Sequence, residues 1–177
     1  MSETAARHKA EAPKSLNFAV ITCSTSRYAK LKSSGMTDDP SGDLIVQALQ
    51  KHGHRVTLRT LIPDDRRLIG ESVKEALESG KVDVIITSGG TGISPTDVTI
   101  ETVQPLLEKE LQGFGELLRK ISYDQIGSSA ILTRAIAGVS KGKAVFCIPG
   151  SPQAVSLALE TLILAEAPHI IKHAKEK

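Results

Sequence analysis

Ser88-Gly89-Gly90-Thr91-Gly92 follows the apolar run Val82-Asp83-Val84-Ile85-Ile86-Thr87 and precedes Asp97 by five residues. A short β-branched run ending in glycines predicts a buried parallel strand that delivers a loop at its carboxyl end. Open α/β sheets bind ligands at that end. Glycine has no Cβ to hold a ligand off the backbone and tolerates positive φ, so successive N–H groups can turn toward an anion. Gly89, Gly90, Thr91 and Gly92 are therefore candidate phosphate donors. Two familiar phosphate loops do not fit. The dinucleotide fingerprint needs glycines at first, third and sixth places and the Walker loop needs Gly-Lys-Ser/Thr, whereas Gly92 leads into Ile93-Ser94-Pro95.

Two carboxylates stand beside this loop in the predicted order. Asp64, in Ile62-Pro63-Asp64-Asp65, lies at a strand-to-helix junction, where an Asp ordinarily caps the helix. Asp97 closes Ser94-Pro95-Thr96-Asp97, which reads as a capping box. The functional alternative is that both, carried on adjacent strand ends, converge on a divalent cation, since a hard ion takes carboxylate oxygens. Pro149-Gly150-Ser151-Pro152 forms a second candidate cradle, with a helix expected over Gln153 to Ala174 pointing its positive end at a ligand. Ser24 and Arg27, after the first strand, could meet an anion or merely form a solvated turn. His169 and His173 are four apart, but no Glu follows the first as a zinc protease requires, and they read as a solvated helix end.

The elements that must position these residues alternate. Leu16 to Cys23 reads as the first strand, and Tyr28 to Asp39 as a loop, either a flap or a passive connection. A helix begins at Pro40, with Leu44, Ile45, Ala48 and Leu49 on one face, and ends at His52-Gly53. Val56 to Ile62 is the next strand. Leu68, Ile69, Val73, Ala76 and Leu77 mark a helix stopped by Gly80. Pro105 interrupts the helix that Thr99 begins, and Leu106 to Leu111 is a short apolar segment. Gly113 to Ile126 is amphipathic through Phe114, Leu117, Leu118 and Ile121. Ile131 to Val139 and Ala144 to Ile148 predict an antiparallel hairpin through Lys141-Gly142. The fold expected is a three-layer α/β/α sandwich with a mainly parallel sheet and one hairpin.

The 177 residues suit one domain, expected over residues 16–177 behind a disordered polar tail over residues 1–15. With 3% aromatic residues, the core must be aliphatic. A net charge of +2 and scattered aromatics argue against a nucleic-acid surface. Cys23 and Cys147 lie in apolar runs and read as buried free thiols. No signal peptide or run of membrane-spanning length is expected, which predicts a cytoplasmic protein without membrane partners.

Ser-Gly-Gly-Thr-Gly with Asp97, together with Asp39-Pro40-Ser41-Gly42, Ile62-Pro63-Asp64-Asp65, Gly113-Phe114-Gly115-Glu116-Leu117 and Pro149-Gly150-Ser151-Pro152-Gln153-Ala154-Val155, resembles the MoaB/MogA family of molybdopterin adenylyltransferases and the related domain of gephyrin. The stretch Gly113 to Leu117 and Gly150-Ser151-Pro152 look more like the MoaB branch. The resemblance implies molybdenum or tungsten cofactor biosynthesis, with AMP passing from ATP to the terminal phosphate of molybdopterin and pyrophosphate leaving. It implies catalytic and Mg²⁺-binding roles for Asp64 and Asp97, capping for Asp65, and phosphate contacts from Gly89, Gly90, Thr91, Gly92, Gly150 and Ser151. Ser24, Arg27, Thr133, Arg134 and Gln153 would contact the pterin. Thr133-Arg134 stands where many relatives have Ser-Arg, and Ile100 where many have Pro. A homotrimer or homohexamer, and hand-over to a metal-insertion protein, also follow from the resemblance. Two rivals use the same fold: a non-catalytic pterin carrier, and a nucleotide pyrophosphatase related to competence-damage-inducible proteins. Retention of both aspartates weighs against the carrier, and mass spectrometry of the pterin product after incubation with molybdopterin, ATP and Mg²⁺ separates the readings.

Overall fold

The computed structural model describes residues 13–176. Most of the expected tail, residues 1–12, thus lies outside the described residues. Ser15 already donates its hydroxyl to the Gly53 carbonyl (2.8 Å), and Leu16 is buried.

Six strands form one sheet: β1 (Asn17–Cys23), β2 (Arg55–Ile62), β3 (Val84–Ser88), β4 (Lys109–Glu110), β5 (Ile136–Ser140) and β6 (Lys143–Ile148). Their order is β2-β1-β3-β6-β5-β4. β1 is parallel to β2 and β3, and β3 to β6, whereas β5 returns antiparallel along β6 and β4 along β5. This is the mainly parallel sheet with a hairpin that the sequence predicts. The chain leaves β1 in one direction to reach β2 and in the other to reach β3, so the switch point lies at the carboxyl ends of β1 and β3.

Period-two alternation sorts the central strands between two cores. Phe18, Val20, Val84, Ile86, Ala144, Phe146 and Ile148 face one layer of helices. Ala19, Ile21, Cys23, Ile85, Val145 and Cys147 face the other. The first layer comprises α2 (Pro40–Lys51), α5 (Gln112–Ile126), α6 (Pro152–Ala158) and α7 (Leu164–Ala174), while the second comprises α3 (Arg66–Glu78) and α4 (Thr99–Val103). Each fully buried Leu, Ile or Phe contributes about 1.5–3 kcal/mol of transfer free energy. The Phe114 and Phe146 rings meet edge-on at 5.3 Å, joining α5 to β6.

Four expectations need correction. Tyr28 to Asp39 is not all loop: α1 spans Thr25–Ser34. Arg27, Ala29, Lys30, Leu31 and Lys32 favour helix, and Gly35, at φ 71, closes it with its N–H on the Leu31 carbonyl (2.9 Å). The helix buries no residue, so it has no apolar stripe to read. Secondly, the hairpin strand begins at Ile136 rather than Ile131; Gly127–Leu132 winds into a 3₁₀ turn that leaves Ile131 and Leu132 exposed. Thirdly, the helix expected over Gln153 to Ala174 contains a π-turn, Leu159–Ile163, between α6 and α7. Finally, Pro152–Ala174 is long and apolar enough to cross a membrane, contrary to the expectation that no run approaches that length. The apolarity serves the core: Val155, Ala158, Leu159, Ile163, Ala167 and Ile171 are buried there.

Candidate functional site

The loop after β3 turns sharply on Gly89 (φ 100) and Gly90 (φ 62). L side chains rarely adopt either conformation. A Cβ on Gly89 would strike the Cys23 carbonyl, and one on Gly90 would strike the Thr99 hydroxyl and lie 2.6 Å from Asp64 Oδ1. The Gly89 N–H is already committed to the Ile148 carbonyl (3.0 Å), and the Gly90 carbonyl accepts from Thr99 N–H (2.9 Å). Among the described residues, the N–H groups of Gly90, Thr91 and Gly92 have no protein acceptor. The free donors of the loop are thus three, and Gly89 belongs to the frame that holds them.

Asp64 sits at the amino terminus of α1. Its Oδ2 accepts from both the N–H and the hydroxyl of Thr25 (2.8 Å each), while its own N–H donates to Thr25 Oγ1 (3.0 Å). The caps expected on the residues alone divide: Asp65 caps α3 by accepting from Leu68 N–H (2.9 Å), and Asp64 instead reaches across to β1's end, with Oδ1 against Gly90. Asp97 Oδ2 accepts from Ser94 N–H (2.9 Å), the acidic half of a capping box that closes a turn rather than a helix. The same oxygen would lie 2.7 Å from a Cβ on Gly92. The two aspartates are not on adjacent strand ends, since β1 lies between β2 and β3. They meet the same loop from either side of β1, at glycines two residues apart.

On the other flank of the loop lies a cavity of about 330 Å³. Thr91 and Gly92 form one edge, Thr133 and Arg134 another, and Pro149, Gly150, Ser151, Gln153, Ala154 and Leu157 a third. Of the residues expected at the pterin, Thr133, Arg134 and Gln153 line this cavity. Ser24 and Arg27 do not: they lie at and within the start of α1, whose first residue, Thr25, is the one that bonds Asp64. Arg134 holds the Gly92 carbonyl through Nη1 (2.8 Å) and pairs with Glu101 through Nη2, so it braces the loop. That hydrogen bond from Arg134 is the main cause of a lowered Glu101 pKa.

The second loop is built differently. Ser151 caps α6, its hydroxyl accepting from Ala154 N–H (3.3 Å). The Gly150 carbonyl accepts from the hydroxyl of Ser41 (2.7 Å), which is fully buried at the start of α2. Asp39 caps α2 through Gly42 N–H (3.0 Å) and also accepts from Thr22 Oγ1 (2.8 Å) and Arg59 (3.2 Å). The Asp39-Pro40-Ser41-Gly42 motif thus bolts α2 to β1, β2 and the second loop.

Sequence reasoning missed Ser122 and Gln125, which line the cavity from α5. Phe114, Leu118, Ser122 and Gln125 follow one helical stripe at spacings of four, four and three. The turn from apolar to polar along that stripe is the signal that could have found them. Thr99 places its buried hydroxyl between Gly90 and the Cys23 thiol. Both expected free thiols are present. Burial pushes Cys23 up to about 12, only partly opposed by the Thr99 hydroxyl, and burial likewise pushes Cys147 up to about 12. Neither supplies a thiolate near neutral pH, so the chemistry of the site belongs to oxygen and nitrogen groups.

Residues 19–169 match the family model described as a probable molybdopterin binding domain. The chain is 46% identical over 164 residues to "Molybdenum cofactor biosynthesis protein B" of Bacillus cereus, covering 92% of this chain and 93% of that protein. It is 45% identical over 173 residues to "Molybdopterin adenylyltransferase" of Pyrococcus furiosus, covering 96% and 97%. A crystal structure of molybdenum cofactor biosynthesis protein B superposes with a TM-score of 0.85 at 43% identity, over 94% of this chain and 100% of that one. The tungsten cofactor synthesizing protein MoaB from Pyrococcus furiosus gives a TM-score of 0.81 at 41% identity, over 93% and 100%. A CinA protein from Thermoplasma acidophilum, at 23% identity and a TM-score of 0.60 over 89% and 99%, shares the fold alone. Matched across nearly its whole length in sequence and in the course of its backbone, the chain belongs to the molybdopterin-binding domain family that includes molybdenum cofactor biosynthesis protein B.

Proposed function

We propose that the chain transfers AMP from ATP to the terminal phosphate of molybdopterin in molybdenum or tungsten cofactor biosynthesis. A terminal phosphate oxygen of the pterin attacks the α-phosphorus, the α–β P–O bond breaks, and pyrophosphate leaves. No covalent protein intermediate is needed; alignment and charge neutralisation are. The observation that carries this reading is the glycine loop, whose three free N–H groups stand between a carboxylate pair and a cavity. The N–H groups of Gly90, Thr91 and Gly92 would hold nucleotide phosphate. The pterin would lie in the cavity against Ile126, Leu132 and Leu157, with Ser122, Gln125, Thr133 and Gln153 available to its ring edges. Ser122 and Gln125 replace Ser24 and Arg27 in that role, and Ser24 and Arg27 turn to the nucleotide side. Gly150 and Ser151 close the cavity and shape it.

Mg²⁺ belongs to the same reading, and the residues fit it. Among the described residues no group of three or more His, Cys, Asp or Glu side chains could hold a metal. One or two carboxylates completed by substrate phosphates is, however, the usual arrangement for this ion. Gly90 leaves open the space a Cβ would fill between Asp64 Oδ1 and the buried Thr99 hydroxyl, and Gly92 does the same at Asp97. When bound, the ion would offset negative charge on the phosphates. Asp64 and Asp97 would hold it, and Thr25 and Ser94 orient the two carboxylates.

The test is mass spectrometry of the pterin product after incubation with molybdopterin, ATP and Mg²⁺. Asn caps about as well as Asp but lacks its charge. Asp64→Asn and Asp97→Asn are therefore expected to stay folded and lose adenylyl transfer by at least ~10²-fold. Near-parental turnover by either variant removes that residue's catalytic role, and pyrophosphate release undiminished by a chelator removes the metal. Product pterin without an added AMP would leave the carrier reading in its place. A cytoplasmic location and hand-over to a metal-insertion protein accompany this function. So does assembly as a homotrimer or homohexamer, supported by exposed Leu117, Tyr123, Ile126, Ile131 and Leu132 along α5 and the turn after it; a monomer by light scattering would exclude assembly.

A further inference from the structure

Thr99 meets three parts of the candidate site at once. Its N–H donates to the Gly90 carbonyl (2.9 Å). Its hydroxyl abuts the position that a Cβ on Gly90 would occupy, and Asp64 Oδ1 lies 2.6 Å from that same position. It also opens α4 two residues after Asp97, whose Oδ2 closes the preceding turn on Ser94 N–H (2.9 Å). Both aspartates are thus tied to the loop through one residue, Asp97 along the backbone and Asp64 across the gap beside Gly90. We propose that Thr99 is a positioning residue for nucleotide binding, and that its hydroxyl, seated against the Cys23 thiol, is the part of the side chain that does this. The inference rests on the adenylyl-transfer reading and gives Thr99 no contact with substrate.

The Gly90 carbonyl is the pivot. Gly90 stands at φ 62, and the Thr99 N–H holds its carbonyl toward α4. The C=O and N–H of one planar trans peptide point in opposite directions, so fixing this carbonyl turns the N–H of Thr91 away from α4. Thr99 therefore aims one of the three free donors of the loop.

The hydroxyl adds a second constraint. Thr99 is fully buried, with Val98 and Ile100 on either side of it in the core that also holds Cys23. A hydroxyl in such surroundings is unfavourable without a good partner, and a thiol is a weak one. Packing alone would favour valine, which branches in the same way. The oxygen instead occupies the space between Gly90 and the Cys23 thiol, on a β-branched side chain with little χ1 freedom. Cys23 ends β1, and Thr25, two residues on, holds Asp64 Oδ2 through its N–H (2.8 Å). The contact of Thr99 with Cys23 closes a ring: Asp64 to Thr25, back along the chain to Cys23, across to Thr99, and past Gly90 to Asp64 again. That ring sets the distance between the carboxylate and the loop.

The test is calorimetric binding of α,β-methylene-ATP, which cannot lose pyrophosphate, with Mg²⁺ and molybdopterin present, alongside steady-state pyrophosphate release from ATP. Thr99→Val keeps the N–H on Gly90 and removes the hydroxyl. It should weaken analogue binding and lower kcat by about 10-fold each, the lower end of the range for groups that orient a site from behind. KM for molybdopterin should stay at the parental value, and the thermal midpoint should be no lower than the parent's. Thr99→Ser, which restores the hydroxyl, should recover most of the loss. Cys23→Ala should weaken analogue binding less than Thr99→Val does, and the double variant should lose no more than Thr99→Val alone, because partners in one contact are not additive. Equal losses in Thr99→Val and Thr99→Ser, or a thermal midpoint that falls together with affinity, overturn the proposal. Additive losses in the double variant overturn the part given to Cys23. A parent that binds no analogue sinks the adenylyl-transfer reading and this inference with it, whereas equal binding by the parent and Thr99→Val sinks this inference alone.

Discussion

The loops after β3 and after β6 both follow a buried parallel strand, both contain glycine, and both border the same cavity, yet they use glycine for opposite purposes. Gly89 and Gly90 have positive φ and turn the backbone so that the next N–H groups face outward. Gly150 has no such conformation. It is required because a Cβ there would sit 3.0 Å from Gly89 Cα, so its role is to let the second loop lie against the first. The loops are also braced differently. The first is held by an ion pair, with Arg134 spanning the Gly92 carbonyl and Glu101. The second is held by a neutral hydrogen bond from buried Ser41 to the Gly150 carbonyl. A Gly-containing strand end is therefore not by itself an anion cradle; it becomes one where backbone N–H groups are left unspent.

Substitution of the two glycines is the strongest way to break this distinction. Gly90→Ala places a methyl group against Thr99 and Asp64 in a strained conformation, and should cost adenylyl transfer on the order of 10²-fold, the scale expected when a reacting group is displaced by about 1 Å. Gly150→Ala meets only a tight contact and should cost roughly 10-fold or less by the same measure. Steady-state pyrophosphate release checks both; equal losses would mean that the two loops play equivalent parts.

Removal of the braces gives a smaller effect and sharpens the contrast. Ser41→Ala leaves the Gly150 carbonyl without its partner and should lower stability by about 1–2 kcal/mol in urea denaturation. That loss should not vary with pH between 4 and 8, since neither partner titrates.

The smallest effect concerns the ion pair. The Glu101 pKa is lowered in the folded chain by its hydrogen bond from Arg134. The sign follows from linkage: a depressed carboxylate contributes stability that is present above its unfolded value, near 4.5, and is lost as pH falls through the folded value. The thermal midpoint of the parent should thus fall more steeply than that of Glu101→Gln below about pH 4.5. Because Glu101 is partly exposed, the difference is expected to be slight. Parallel curves would show that the pair does not brace the loop.

The alternation of β-branched runs with helical stripes was legible throughout the central sheet, because Phe18 to Cys23, Val84 to Ser88 and Ala144 to Ile148 are buried on both faces and must be apolar. α1 was not legible, because a helix that buries nothing carries no periodicity, and Ile131 and Leu132 misled because apolar residues on a surface turn look like a strand. Asp64 and Asp97 could be picked out by place and type, but the residues alone allowed each to be a cap. The structure shows that each takes part in a local turn or terminus while pressing an oxygen against a glycine of the same loop.

The amino-acid sequence by itself determined the three-layer fold, the glycine loop and the pair of aspartates, because these depend on local burial period and on residue type. Only the tertiary structure decided which N–H groups remain free, that β1 separates the two aspartates, that Ser122 and Gln125 reach the cavity, and that Arg134 serves as a brace. These are questions of where hydrogen-bonding groups find partners across separations of tens of residues. That accounting closes only when strands distant in the chain have come together.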